Sequence, residues 1–231
     1  MIRNPTPILL GAEAPRVLTV PMVAAVLAGG GKPVARNTLF RWLREQRQVG
    51  TLRPVTRGLY LNQLAIPRPE AAEAAAYIRA GAIVSLQTVL GDAGVLNNYS
   101  HVVTCLVPLV GGIAPSSRTV RANRLEYRFH AVPARLLDEQ AGSLEDRFDL
   151  SVTYPRATPE KALLDWMYLG ASVRTTVAGP PLDIDASRLD RRRLRRLARR
   201  MHLERELEAY NLRKSRFDAD PSVVANDAVT Q

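Results

Sequence analysis

A helical spacing of apolar positions begins close to the start of the chain. Three apolar residues lie at positions i, i+3 and i+4, namely Val23, Val26 and Leu27. This spacing is typical of one face of a helix. We expect the helix to begin at Thr19, because threonine is a common N-cap residue and the following Pro21 is tolerated in the first turn. Three consecutive glycines, residues 29–31, end the helix and allow a sharp turn.

A second helix is predicted from about Ala35 to Gln48. Its apolar positions, which we expect in the core, are Leu39, Phe40 and Leu43. Its polar positions form a stripe on another side and are Asn37, Arg41, Arg44 and Gln48. Two extended runs follow, residues 51–55 and 59–62, joined by a tight turn in which Gly58 supplies the backbone freedom. The order helix, turn, helix and β-hairpin is typical of a winged helix-turn-helix.

The central part of the chain predicts short helices and strands in mixed order. Residues 64–69 contain two prolines and are predicted to form a linker. A short strand at 82–84 precedes a helix that Ser85 is expected to cap. The nearly all-apolar run 102–109 predicts a strand buried on both faces, and the alternating residues 125–132 predict another strand.

Two stronger helices are predicted in the C-terminal third. One begins at Thr158 with Pro159 in its first turn, and its core face comprises Ala162, Leu163, Trp166, Met167 and Leu169. The other, residues 191–201, contains seven arginines in eleven residues. Its narrow apolar stripe comprises Leu194, Leu197 and Met201. We expect this amphipathic helix to dock on the central domain, with a second helical piece at 203–212.

These elements together predict an α+β protein. Residues 1–64 are expected to form a winged helix-turn-helix domain. Residues 65–216 are expected to form a mixed α/β domain that ends in basic helices. Residues 217–231 are small and polar, and we expect a disordered end there.

The charge of the chain is segregated along its length. The 231 residues have a formal net charge of +10 at pH 7. Residues 1–60 contain nine basic and two acidic residues, a net charge of +7. Residues 61–187 have a net charge of −2, and residues 188–231 have a net charge of +5. Two basic segments around a near-neutral one favour nucleic acid as a partner.

Composition also excludes several classes of protein. Cys105 is the only cysteine of the chain, which excludes an internal disulfide framework and any multi-thiolate metal site. The first ten residues lack the apolar run of a signal peptide. The most apolar stretch, residues 102–114, is too short to span a bilayer. We therefore expect a cytoplasmic protein with no membrane partner.

Two segments resemble sequence motifs of enzymes, but the residues around them do not fit those motifs. Gly31-Lys32 is followed by Pro33, where a phosphate-binding loop needs serine or threonine. Asp183 and Asp185 have the spacing of a magnesium-holding nucleotidyltransferase pair. However, two prolines precede this pair, and Ala-Ser follows it where a strand should continue. We expect no catalytic activity, no metal and no cofactor.

The polar stripe of the second helix carries the side chains suited to reading double-stranded DNA. The predicted base-reading residues are Asn37, Thr38, Arg41 and Arg44, because arginine pairs with guanine and asparagine with adenine in the major groove. The predicted backbone contacts are Arg36, Gln48, Arg53 and Arg57. The alternative is that the stripe is only the solvated face of an amphipathic helix.

The arginines of residues 191–201 leave more alternatives open. They can be a solvated face, a surface for a nucleic-acid backbone, or a helix on a membrane surface. The narrow apolar stripe contains no Phe or Trp, which disfavours the membrane. The candidates for extra phosphate contacts are Arg192, Arg195, Arg196 and Arg199.

Three segments in this order resemble a known family. They are the predicted wing Thr-Arg-Gly-Leu-Tyr at 56–60, Ile-Val-Ser-Leu-Gln-Thr-Val-Leu at 83–90 and Ala-Thr-Pro-Glu-Lys-Ala-Leu-Leu-Asp at 157–165. The chain is similar, over roughly residues 19–210, to the AbiEi family of abortive-infection antitoxins from type IV toxin–antitoxin systems. The third segment is the most specific of the three.

The resemblance implies a function with two parts. A winged helix would bind inverted repeats in the promoter and repress the antitoxin's own operon. The C-terminal domain would counteract a nucleotidyltransferase toxin without a stable complex. The family motif places Ser85, Glu160, Lys161 and Asp165 among its residues, although a capped helix start and a surface ion pair account for the last three equally well.

Two points limit the resemblance. The three glycines before Lys32-Pro33 depart from the family pattern, and recognition helices differ among members, so no operator sequence can be transferred. The alternative function is a winged-helix transcriptional regulator whose second domain senses a ligand or mediates dimerisation.

Overall fold

A computed structural model of the protein describes residues 14–29, 31–97, 100–109, 119–122 and 125–220. Within these ranges the chain forms eight α-helices and seven strands in two sheets, a mixed α+β fold as predicted. Contacts divide the chain into two compact units. The first comprises Met1–Ala80 with Val120–Tyr127, and the second comprises Gly81–Thr119 with Arg128–Gln231.

The first unit is built on a three-stranded antiparallel sheet and two helices. Its main elements are β1 (Val17–Thr19), α1 (Val20–Ala28), α2 (Arg36–Val49), β2 (Leu52–Thr56) and β3 (Leu59–Asn62). The strand order is β1-β3-β2. Thr19 caps α1 as predicted, since its hydroxyl accepts the Met22 N–H at 3.4 Å. The β2–β3 turn contains Gly58 with φ +80°. The sequence pattern does not predict the short strand β1.

The core of this unit joins both helices to the sheet. Its buried cluster comprises Leu18, Val23, Leu27, Leu39, Leu43, Leu52 and Tyr60. The predicted burial of Leu39 and Leu43 is confirmed, but that of Phe40 is wrong, since its side chain is 43% exposed. Trp42 packs against the cluster instead. Trp42 lies three residues after Leu39, and Phe40 lies three residues before Leu43, so the helical repeat alone does not distinguish them. Packing against the rest of the unit decides which of the two reaches the core.

Residues 65–80 pack with the first unit, beyond the boundary predicted at residue 64. They contain a short 3₁₀ turn, Ala71–Ala74, and α3 (Ala75–Ile78). Arg16 forms an ion pair with the buried Glu73 at 2.7 Å. The hydroxyl of Tyr127 donates to the carbonyl of Ala71 at 2.7 Å.

The second sheet and the remaining helices follow in the chain. They are β4 (Ile83–Val84), α4 (Gln87–Asp92), β5 (Val102–Pro108), β6 (Thr119–Ala122), β7 (Leu125–Val132), α5 (Leu144–Arg147), α6 (Pro159–Ala171), α7 (Arg191–Met201) and α8 (Glu204–Ala219). The sheet order is β4-β5-β7-β6. The five central residues of β5 are buried, as predicted for a strand covered on both faces. Thr158 caps α6 as predicted.

The C-terminal helices differ in length from the sequence expectation. The predicted core positions of α7, which are Leu194, Leu197 and Met201, are buried. The next helix, α8, extends to Ala219, so residues 217–219 are helical rather than part of the predicted disordered end. Residues 221–231 of that predicted end lie outside the described residues.

Candidate nucleic-acid interface

The polar stripe of α2 lies on the face opposite its buried residues. Leu39 and Leu43 face the core. The four predicted stripe residues are all exposed, namely Asn37, Arg41, Arg44 and Gln48. The fifth candidate on this helix, Thr38, is half-buried. The α-helical repeat of 3.6 residues accounts for this separation of the two faces.

Among the residues that the structure describes, few acidic side chains lie close to the arginines of this face. Glu45 is the only acidic residue of α2, and its carboxylate lies 4.0 Å from the Arg41 guanidinium, with both side chains exposed. Such an exposed pair contributes little to stability and is screened by salt. In the described part of the chain, Arg44 forms no ion pair. The guanidiniums are therefore available to an external anion.

The β2–β3 hairpin carries two more exposed cations, Arg53 and Arg57. The turn that holds Arg57 is fixed, because the Val20 N–H donates to the Gly58 carbonyl at 3.1 Å. The start of the hairpin is tied to α2, since the Thr51 hydroxyl donates to the Gln46 carbonyl at 3.1 Å. Helix and hairpin thus form one supported structure.

The family-motif residues Ser85, Lys161 and Asp165 lie together in the interior of the second unit. The hydroxyl of Ser85 donates to Asp165 Oδ2 at 2.8 Å, and the Lys161 ammonium donates to Oδ1 of the same carboxylate. All three side chains are buried. Burial raises the pKa of Asp165, although Lys161 and Ser85 act in the opposite direction.

This cluster overturns two predictions. The prediction that Lys161 and Asp165 form an ion pair on the surface is wrong, because their exposed fractions are 3% and 2%. The capping role of Ser85 is wrong as well. Leu86 occupies the N-cap position of α4 with φ +59° and no side-chain cap, while the Ser85 hydroxyl is engaged with Asp165.

Glu160, the fourth motif residue, positions the arginine-rich helix. Its buried carboxylate accepts the Asp190 N–H at 2.8 Å and lies 3.5 Å from Arg193 Nη1. Asp190 in turn caps α7 by accepting the backbone N–H groups of Arg192 and Arg193. The N-terminus of α7 is therefore attached to the N-terminus of α6.

The arginines of α7 divide into paired and unpaired groups. Arg196 donates two hydrogen bonds to Asp146, at 3.0 and 2.6 Å, and Arg193 lies 3.7 Å from the same carboxylate. Arg196 holds the pKa of Asp146 below its usual value, and Asp146 raises that of Arg196. The exposed arginines with no ion pair to any described residue are Arg191, Arg192, Arg195, Arg199 and Arg200. All of these except Arg191 line, with Arg196 and His202, a surface depression of about 690 Å³.

The second unit also contains a smaller cavity of about 320 Å³ between β7 and the C-terminal end of α6. Its apolar walls include Phe129 and Leu169, and its polar lining includes His130, Tyr168 and Arg174. A cavity of this size and composition is within the range of small-molecule sites.

Asp185, one of the two carboxylates with the nucleotidyltransferase-like spacing, has a structural role. The Asp185 carboxylate accepts the Ser187 N–H at 3.1 Å and caps a 3₁₀ turn. Gly170 lies against Gly179, where a Cβ would come within 2.5 Å of the Gly179 Cα. Burial raises the pKa of the Cys105 thiol to about 12, far above that of a reactive thiolate.

The described ranges contain no group of three or more His, Cys, Asp or Glu residues that could hold a metal ion. No helix in them is both long and apolar enough to cross a membrane.

The buried cluster can be tested by removing its cation. We expect Lys161→Met to lower the free energy of unfolding by about 3–5 kcal/mol at pH 7, because the buried Asp165 carboxylate loses its partner. The deficit should shrink as the pH falls, since a carboxyl whose pKa is raised by burial favours the folded state once protonated. Urea unfolding followed by circular dichroism between pH 7 and 4 measures both effects.

The double variant Lys161→Met, Asp165→Leu should regain most of the loss, since it leaves no unpaired charge. As a matched control, Asp218→Ala breaks the i, i+4 pair with Lys214 in α8, in which the Asp218 side chain is 55% exposed, and it should cost less than about 1 kcal/mol. Equal losses in the single and double variants would contradict this account of the cluster.

No protein-family model and no curated protein matches the chain. Among solved structures, the chain is similar to the RV2827C protein from Mycobacterium tuberculosis, with a TM-score of 0.47 and 19% sequence identity. The match covers 86% of this chain and 73% of that protein chain.

Proposed function

We propose that this protein is a DNA-binding antitoxin that represses its own operon and counteracts a nucleotidyltransferase toxin. In this proposal residues 1–64 form a winged helix-turn-helix with α2 as the recognition helix. The observation that carries the DNA-binding part is the exposed polar face of α2, which presents Asn37, Arg41 and Arg44 opposite a buried apolar face.

The dimensions and chemistry of α2 suit the major groove. A helix with its side chains is about 10–12 Å across, and the groove is about 12 Å wide. Arginine makes paired hydrogen bonds to guanine O6 and N7, and asparagine makes them to adenine N6 and N7. Arg41, Arg44 and Asn37 would read bases in this way, with Thr38 at the edge of the face.

Positioning on the duplex would come from phosphate contacts. Arg36 and Gln48 lie at the two ends of α2, and Arg53 and Arg57 lie on the hairpin that follows it. Contacts of this kind fix register and orientation without reading sequence. The hydrogen bonds that tie the hairpin to α1 and α2 support a wing role, because they hold its turn in place.

We assign the unpaired arginines of α7 to additional phosphate contacts. The paired ones, Arg193 and Arg196, face Glu160 and Asp146 and hold the helix in place. Arg192, Arg195 and Arg199 lie on the exposed face. There the like charges three and four residues apart repel one another, so a polyanion would relieve that repulsion.

The antitoxin part of the proposal rests on the resemblance of segments 56–60, 83–90 and 157–165 to the AbiEi family. The buried positions of Ser85, Lys161 and Asp165 support a role for this motif in building the second unit rather than in touching a toxin. A cytoplasmic location belongs to the same proposal.

A second candidate function is a winged-helix regulator whose second unit senses a small ligand. The cavity of about 320 Å³ beside β7 favours it. A neighbouring gene with a nucleotidyltransferase pattern would distinguish the antitoxin from this regulator.

The DNA-binding proposal is tested by Arg41→Ala with Arg44→Ala. We expect this variant to lose about 2–6 kcal/mol of specific binding to its own promoter fragment, at least about thirtyfold in affinity, since each bidentate base contact contributes about 1–3 kcal/mol. Gel-shift titrations at moderate salt against the promoter and a scrambled fragment measure the loss.

The control is Arg205→Ala with Arg216→Ala, which removes the same charge from exposed positions of α8. It should retain specific binding. Unchanged promoter affinity in the α2 variant, with a wild-type circular dichroism spectrum, would count against the recognition-helix assignment.

The role of α7 is tested by Arg195→Ala with Arg199→Ala. If both contact phosphates, the log–log slope of affinity against salt should become less negative by about 1.8, since each neutralised phosphate contributes about −0.9. Discrimination between promoter and scrambled DNA should be retained. A slope equal to that of the wild type would show that Arg195 and Arg199 contact no phosphate and are only solvated.

An experiment in cells distinguishes the DNA-binding function from the antitoxin function. The full-length Arg41→Ala, Arg44→Ala variant should fail to repress a reporter driven by its own promoter, because it cannot read the operator. It should still rescue growth when the neighbouring toxin gene is induced. Loss of both activities, at wild-type protein level, would refute the division into a reading unit and an antitoxin unit.

A further inference from the structure

Phe40 lies at the boundary between the buried and the polar face of α2, three residues before the buried Leu43. Its side chain is 43% exposed. Trp42, rather than Phe40, packs against the buried cluster. The exposed part of the Phe40 ring is available to a partner of the protein.

The exposed side of Phe40 is bordered by polar side chains. Its neighbours at i−4, i−3 and i+4 are Arg36, Asn37 and Arg44, with Arg47 at i+7, and all four are exposed, whereas its i+3 neighbour Leu43 is buried. The Arg36 guanidinium lies over the ring, 5.6 Å from its centroid. This cation–π contact limits the orientations of the ring. A single oriented apolar group therefore lies among four hydrogen-bonding side chains.

The major groove offers one apolar group among its base-edge donors and acceptors, the C5 methyl of thymine. We propose that Phe40 contacts a thymine methyl and is a specificity-determining residue for a T·A pair, next to the pairs read by Asn37 and Arg44. This inference rests on the proposed DNA-binding function. It adds a base preference that hydrogen-bonding residues alone would not supply.

An interface between two copies of the chain fits the surroundings less well. Stable protein interfaces bury about 800 Å² on each partner and exclude charge from their centre. The exposed side of Phe40 is bordered by the cations Arg36, Arg44 and Arg47. The other exposed apolar residue of α2, Val49, is the last residue of the helix and is 75% exposed. Val49 therefore serves as a matched control.

The experiment compares two versions of the protein's own promoter fragment, one containing thymine and one with uracil in its place. Uracil pairs like thymine but lacks the methyl group. The affinities of the wild type, Phe40→Ala and Val49→Ala for both fragments are measured by fluorescence anisotropy at low salt. The free proteins are checked by circular dichroism and by sedimentation.

The wild type and Val49→Ala should bind the uracil fragment about fourfold more weakly for each methyl contacted, the effect of one buried CH₂-sized group. Phe40→Ala should bind both fragments equally, with an affinity close to that of the wild type for the uracil fragment. This pattern is a double-mutant cycle between the ring and the methyl.

Three results would overturn the inference. The first is a wild type that binds the thymine and uracil fragments with equal affinity. The second is a Phe40→Ala variant whose affinity falls as much on the uracil fragment as that of the wild type does. The third is a folded Phe40→Ala variant that loses all DNA binding or changes its oligomeric state. Failure of the wild type to bind the thymine fragment is a different result, since it would reject the DNA-binding function itself.

Discussion

The second unit depends on one buried carboxylate, that of Asp165. Taking a charge out of water costs several kcal/mol, so Asp165 is tolerable only because Lys161 and the Ser85 hydroxyl satisfy both of its oxygens. Lys161 comes from the same helix, but Ser85 comes from the segment between β4 and α4. The pairing therefore specifies how α6 lies against that segment.

The arginine-rich helix is positioned by a second set of carboxylates. Glu160 accepts the N–H of Asp190, Asp190 caps α7, and Asp146 binds Arg196 in a bidentate pair. These contacts hold α7 in the orientation that buries its apolar stripe and exposes its unpaired arginines. The acidic residues therefore determine which arginines of α7 remain available to an anion.

Local chemistry accounts for the elements that the sequence predicted well. Thr19 and Thr158 cap their helices, and the run that forms β5 is buried, because capping and apolar runs act within a few residues. Phe40 and Ser85 were assigned wrongly for the opposite reason. Which of two apolar neighbours reaches the core, and which partner a hydroxyl finds, depends on elements distant in the chain.

The sequence by itself determined the order of helices and hairpin, the polar stripe of α2 and the two basic segments, since periodicity and charge are properties of the chain. Only the tertiary structure decided that Lys161 and Asp165 are buried, that Arg196 is paired with Asp146 while Arg195 forms no ion pair with a described residue, and that Phe40 lies outside the core. The physical reason is that burial, and the pairing of Arg196 with Asp146, come from contacts between segments far apart in sequence. The i, i+4 spacing of Lys161 and Asp165 indicates their pairing but not its burial.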